Sequence, residues 1–499
     1  MDKTVEMNAN ELVAFFQKPA SEFTKADIIT FVREKDIKMI DFMYPAEDGR
    51  MKTLNFMINS LAYLETILTD GERVDGSSLF PSFVEAESSD LYVVPRFRTA
   101  FVSPFSEIPT LCLLCSFFDK DGQPFVCSPE QTLHRAAKSF TEATGMTYEA
   151  MGELEYYVIS EDDEMFPAVD QRGYHESGPF AKFNEFRKKC MSFIAQTGGQ
   201  IKYGHSEVGN FTADGKVFEQ NEIEFLPCPV ESAADQLVLA KWVIRNLAYE
   251  YGLDVTFAPK ITVGKAGSGL HIHMRIMKDG HNCMISDGKL SAEARRAIAG
   301  MMELAPSITA FGNKTPVSYF RLVPHQEAPT SVCWGDCNRS VLVRVPLGWT
   351  SGKDMCVQAN RLEKVNNGDT TLKQTVEMRS PDASADVYQL MAGLCVACRY
   401  GLEMDENKAL GIASDKYVGL GERASDSDKF EQLPDCCTAS ADWLSRQRAM
   451  YEAGGVFSPR MIDGIINKLR SYDDANLRAS AEKDAELMQK LVSESFYCG

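Results

Sequence analysis

At 499 residues with a net charge of −19, the chain is no general binder of nucleic acid or anionic membrane, because no net basic field attracts phosphate backbones. Hydrophobic residues make up 44%, enough for packed cores in about two domains. No apolar run of about 18 residues predicts a membrane span. The opening MDKTVEMNANELVAFF lacks a basic-then-apolar leader, and the fourteen cysteines show no metal-ligand spacing, so reduced, mostly buried thiols in the cytoplasm are expected.

Residues 1–25 predict a short helical lead-in, and Ala26–Lys35 a helix. KMIDFMYP and MKTLNFMI flank Asp48-Gly49 and predict a hairpin. A helix over Asn59–Leu68, a polar turn at Val74–Ser78 and strands over Leu91–Val94 and Leu111–Phe118 complete a small α+β domain, 1–126. The second domain, 127–499, opens on a helix with Ser128 as N-cap, Pro129 at the first position and Gln131 completing a capping box. A longer helix is expected from a Ser232 cap to Gly252, and the last hundred residues read as helical and polar.

The chemistry gathers on strand-like segments. GKAGSGLHIHM, Gly264–Met274, is a glycine-rich turn running into a strand on which His271, His273 and Arg275 share one face. Glu153 and Glu155 alternate with Leu154, Tyr156 and Val158; two such carboxylates in a protected site need a cation between them. Acids recur in His205-Ser206-Glu207 and in Gln220–Glu224, with Asp214-Gly215 as a hairpin tip. Arginines accompany strand-like pieces at Tyr319–Pro329 and Asn338–Pro346, and Glu377 shares a face with Arg379. A polyanion bridged to the acids by Mg²⁺ or Mn²⁺ would satisfy all three kinds of side chain, which points to phosphoryl transfer without a P-loop. Each segment taken singly also reads as a half-buried strand with a solvated face.

In order, the motifs DGSS, G-E-x-E, H-x-E, Q-N-E, G-S-G-x-H-x-H, R-L-V-P-x-x-E-A-P, N-R-S and E-x-R-x-P-D resemble the glutamine synthetase family, in its bacterial-type (type I) branch, from about Asp75 to Asp382. The resemblance implies a β-grasp-like N-terminal domain, a large catalytic domain with a curved antiparallel sheet and helices, and stacked hexameric rings with active sites between subunits. It implies glutamate, ammonium and ATP as substrates, joined through γ-glutamyl phosphate. Two or more ions per site are implied: Glu155, Glu207 and Glu222 would ligate one, and Glu153, His271 and Glu377 the one bridging the ATP phosphates, with Glu207, His273 and Arg344 also contacting ATP. Arg339 and Arg344 would neutralise the γ-phosphoryl group. Arg321, Arg379 and Gly267 would hold glutamate. Asp75 from an adjacent subunit and Glu327 from a flap would serve ammonium.

Several positions depart from the family pattern. Gly209–Glu219 is longer than the usual spacing and leaves Glu224 as the alternative to Glu222. Ala266 stands where an asparagine is usual, and Arg275 and Thr375 where serine and arginine are usual near ATP, with Lys373 or Arg275 as compensating contacts. No match to an adenylylation tyrosine is found. An amine or polyamine ligase of the same family, or a catalytically silent structural relative, are the other implied readings.

Overall fold

The computed structural model describes residues 5–86, 89–323, 328–346, 355–364, 370–424, 429–481 and 484–499. The N-terminal body is a six-stranded sheet: β1 (Met39–Pro45), β2 (Met51–Met57), β3 (Glu72–Asp75), β4 (Asp90–Pro95), β5 (Phe101–Val102) and β6 (Thr110–Phe118). Its order is β2-β1-β6-β4-β3, with β5 also on β6; β1 and β6 run parallel and the other pairs antiparallel. The expected hairpin turns at Gly49, whose φ of 76° suits glycine, while Asp48 accepts a hydrogen bond from the Arg50 backbone. The lead-in is a helix over Glu11–Phe16, and helices Lys25–Glu34 and Leu61–Asp70 follow.

The larger body is a curved ten-stranded sheet. Its strands are β7 (Thr147–Glu161), β8 (Ile201–Ala213), β9 (Lys216–Phe225), β10 (Cys228–Pro229), β11 (Asp254–Thr256), β12 (Leu270–Lys278) and β13 (His281–Asn282), joined by β16 (Trp334–Asp336), β17 (Val343–Val345) and β18 (Val376–Met378). The small ribbon β14 (Ile285–Ser286) and β15 (Lys289–Leu290) lies between them in sequence. The path β16-β17-β18-β12-β7-β9-β8 is antiparallel except at β16–β17.

Helices Pro129–Thr144 and Val230–Glu250 cover the back of β7, and Val387–Glu403 packs on both and on Ala292–Gly312. This backing explains the alternation in β7: Leu154, Tyr156 and Val158 are fully buried, and a Cβ at Gly152 would lie 2.7 Å from Leu237. The Glu153–Glu155 pair is therefore on a central strand and not on a solvated edge.

Three local expectations are corrected. Helix Val230–Glu250 begins after Pro229, so Ser232 lies inside it and its Oγ accepts a bond from Arg98 Nη1 at 3.0 Å. Ser128 does precede helix Pro129–Thr144, but its hydroxyl donates to Glu130, and no capping box with Gln131 forms. Arg321 lies on a four-residue helix, Ser318–Arg321, and not on a strand. The domains are clasped by Asp235, which pairs with Arg96 at 2.9 Å and Arg98 at 2.7 Å and accepts from the Tyr388 hydroxyl. Among the described residues no helix is long and apolar enough to cross a membrane. All fourteen cysteines are free, and ten are buried.

Candidate active site

The open face of the large sheet lines a chamber of about 1540 Å³. Sheet register brings its side chains together in rows. Tyr203 pairs with Glu224, Glu224 with Glu153, and Glu153 with His271. In the next row His205 pairs with Glu222 and Glu222 with Glu155. A third row runs Arg344, Glu377, His273. Side chains directly opposite on one face sit about 5 Å apart at Cβ, so the sheet forces these acids and imidazoles into contact.

Among the described residues, three groups offer ligand atoms within 4.8 Å of one another: Glu153, His273 and Glu377; His205, Glu207 and Glu222; and Glu153, Glu222 and Glu224. His271 Nδ1 is 2.9 Å from Glu153 and 3.5 Å from Glu377, and His273 Nε2 is 2.8 Å from Glu153. Glu155 accepts from the Gly269 backbone at 2.7 Å and from Gln220 Nε2 at 3.1 Å. Gln220 also donates to the Gly267 carbonyl and accepts from the Gly209 backbone, tying the glycine-rich loop to β8.

The glycines of that loop are required by close approach. A Cβ at Gly269 would lie 2.5 Å from Arg321 Nη2 and 2.8 Å from His271 Nε2, and one at Gly267 would lie 2.5 Å from the Pro259 carbonyl. Arg321 is buried beneath the loop and donates to the carbonyls of Arg379, Ser380 and Pro381. Arg344 and Arg379 reach Glu377 at 2.9 and 3.0 Å.

The electrostatics are set by crowded, buried acids beside imidazoles and guanidinium groups. Burial opposes ionisation of Glu153, yet the charge of His273 and hydrogen bonds from both histidines hold it well below the usual carboxylate range. Burial and Glu153 likewise oppose ionisation of Glu377, but His273, Arg379 and His271 outweigh them and lower its pKa. Glu222 goes the other way: burial, then Glu153, Glu155, Glu207 and Glu224, push its carboxyl well above the usual range. Burial lowers His205, whereas Glu153 overcomes burial to raise His273. Oxygen and imidazole donors in this crowding fit a hard or borderline divalent ion such as Mg²⁺ or Mn²⁺.

Glu153, Glu155, Glu207, Glu222, Gly267, His271, His273, Arg321, Arg339, Arg344, Glu377 and Arg379 all line this one chamber. Asp75 does not: it is exposed on the N-terminal body, where bonds from Ser78 and Ser77 hold its carboxyl down at about 2. Glu327 lies outside the described residues. The long β8–β9 hairpin turns at Asp214-Gly215, both at positive φ, and its extra length is absorbed where Glu207–Gly209 bulge opposite Gln220. Glu222 thus stays beside His205 and Glu207.

Arg275 pairs with Glu149 at 2.6 Å, and Thr375 accompanies His273 Nδ1 at 2.9 Å. Four residues in or beside the chamber are given no role by the motifs above: His205, Gln220, Tyr174, which helps raise the pKa of Arg339, and Lys202. His205 and Gln220 share faces with Glu207 and Glu222 at a period of two and were open to that argument. Lys202 was not, because a bulge places it.

The family description "Glutamine synthetase, catalytic domain" matches residues 126–487, and "Glutamine synthetase, beta-Grasp domain" matches 36–120. The chain belongs to the glutamine synthetase family. Glutamine synthetase of Frankia alni is 29% identical over 496 residues, covering 91% of this chain and 97% of that protein. The Mycobacterium tuberculosis enzyme is 29% identical over 497 residues, 91% and 96% covered. That of Thermus thermophilus is 28% identical over 445 residues, 87% and 92% covered. A solved structure described as "Apo GmaS without ligand" superposes with a TM-score of 0.72 at 20% identity, covering 91% of this chain and 97% of that one, a likeness of fold. The family assignment makes the chain a ligase, and it matches the β-grasp and catalytic bodies seen here without fixing the branch within the family.

Proposed function

We propose that the chain, divided into a β-grasp domain over 1–126 and a catalytic domain over 127–499, joins ammonia to the γ-carboxylate of glutamate at the expense of ATP. The observation that carries this reading is the convergence of Glu153, Glu155, Glu207, Glu222, Glu377 and their histidines on the arginine-lined chamber. Glu155, Glu207 and Glu222, with His205 beside them, would hold one divalent ion; Glu153, His271 and Glu377 would hold the other. Bound there, Mg²⁺ or Mn²⁺ would neutralise phosphate oxygens and order the substrates.

Arg339 and Arg344, which line the chamber, would neutralise the γ-phosphoryl group, and His273 would donate to a phosphate. Arg379 and Arg321 attract the glutamate carboxylates, while the Gly267 backbone closes on the substrate. The γ-carboxylate attacks ATP, ADP leaves, and ammonia displaces phosphate from the acyl phosphate. A carboxylate is a poor electrophile and phosphate a good leaving group, so activation must precede the amine, with water excluded. Asp75 from an adjacent subunit of stacked hexameric rings, with Glu327, would hold ammonium, and Asp75 would take the proton that frees ammonia; its serine bonds favour the anion that captures a cation. The free cysteines suit a reducing cytoplasm.

A second reading, ligation of an organic amine, is favoured by Ala266, whose apolar side chain lines the chamber beside Gly267. The test is phosphate release from ATP and Mg²⁺ by purified protein. Release should require glutamate and ammonium together. Turnover with ethylamine or putrescine but not ammonium would transfer the assignment to the second reading. No turnover and no nucleotide binding would favour a silent relative, although unused buried acids are costly.

A further inference from the structure

Lys202 enters the chamber against the alternation of its strand. On β8, Tyr203, His205 and Glu207 face the chamber at a period of two, which assigns Lys202 to the opposite face. The pairing with β9 slips between Ile201, opposite Phe225, and Tyr203, opposite Glu224. Lys202 is the extra residue of that β-bulge, and bulges re-aim side chains. Lys202 and Tyr203 consequently both line the chamber. The ammonium Nζ stands 2.5 Å from Glu224 Oε1 and 5.0 Å from the centroid of the Tyr203 ring.

Glu224 is the carboxylate that the two metal groups proposed above leave unused. It is 2% exposed, and its Oε2 has no hydrogen-bond partner among the described residues. One of its oxygens lies within 4.8 Å of ligand atoms from Glu153 and Glu222, so a third cation-accepting corner exists beside the other two. A divalent ion there would compete with its neighbours for Glu153 and Glu222. A lysine ammonium on a flexible stem supplies one positive charge and takes neither ligand away.

We propose that Lys202 is a tethered counter-ion filling this third corner, and that it limits the chamber to two divalent ions. The inference rests on the two-cation reading of the preceding section. Its test is a count of bound Mn²⁺ per chain by equilibrium dialysis of the intact protein without nucleotide. Lys202→Ala should bind one more Mn²⁺ than wild type. Lys202→Ala combined with Glu224→Gln should return to the wild-type number, and Lys202→Arg should keep it. Equal numbers for wild type and Lys202→Ala would overturn the proposal, as would an extra ion that survives Glu224→Gln. A wild type binding fewer than two ions even after ADP is added would refute the two-cation reading instead, and the difference between Lys202→Ala and wild type would still decide the role of Lys202.

Discussion

Replacing Glu222 by glutamine should stabilise the metal-free protein while removing a metal ligand. Glu222 is 6% exposed and shares metal groups with Glu207 on one side and with Glu153 and Glu224 on the other, at separations within 4.8 Å. Two carboxylates at that distance repel by about 3.5 kcal/mol at an effective dielectric constant of about 20. Holding a proton on the group at about pH 8 instead costs about 5 kcal/mol, given an ordinary glutamate pKa of about 4.3. Burial and three such neighbours together exceed that cost, so holding the proton is the smaller penalty and the neutral amide should gain up to about 5 kcal/mol. The sign follows from linkage: the folded pKa is raised, so the penalty is absent below the unfolded value and grows as pH climbs towards the folded one. Denaturant unfolding in chelator should show Glu222→Gln more stable than wild type at about pH 8, with the advantage gone at about pH 4. Adding Mn²⁺ should stabilise wild type, by about 2.7 kcal/mol at a hundredfold excess over Kd, and the variant much less. A variant less stable than wild type in chelator, or one keeping the full metal-dependent gain, would refute the argument.

Glu153→Ala should abolish ATP-dependent phosphate release while leaving the size of the assembly unchanged in size-exclusion chromatography; retained activity would remove Glu153 from the proposed metal site. Gly269→Ala puts a methyl 2.5 Å from Arg321 and 2.8 Å from His271, so overpacking of about 1–3 kcal/mol and a fall in kcat/KM are expected in steady-state assays. Asp235→Ala strands Arg96 and Arg98 at the domain junction and should lower stability by about 3–5 kcal/mol, read by denaturant unfolding.

The faces of the site strands were legible because their backs are bound to helices. Leu154, Tyr156, Leu270 and Ile272 are fully buried, so an alternating pattern in sequence becomes acids and imidazoles on one side. The glycines at 267 and 269 carried the same kind of signal, because the loop must pass over Arg321. What alternation could not supply was register. That Glu153 faces His271 on one side and Glu224 on the other depends on pairings between segments far apart in the chain. Local caps were also hidden: Ser232 has the right side chain, yet the turn at Pro229 starts the helix earlier. The helical setting of Arg321 was missed because Tyr319–Val323 is too short for either period to decide.

Register also explains why a bulge at Lys202 can be tolerated beside the candidate site. A slip of one residue along β8 would turn His205 and Glu207 away from the chamber. Here the extra residue falls between Ile201 and Tyr203, upstream of both, and the pairings Tyr203–Glu224 and His205–Glu222 are kept. The strand thus adds a positive charge to the row that carries Glu224 and Glu153 without displacing either proposed metal group. The second bulge, at Glu207–Gly209, does the same for chain length: it absorbs residues beyond Glu207, so the long hairpin extends outward while Glu222 stays opposite Glu155. Both irregularities lie on the edge strand of this sheet path, where an unpaired residue interrupts one ladder only, and the central strands β7 and β12 hold their carboxylates and imidazoles in unbroken pairing.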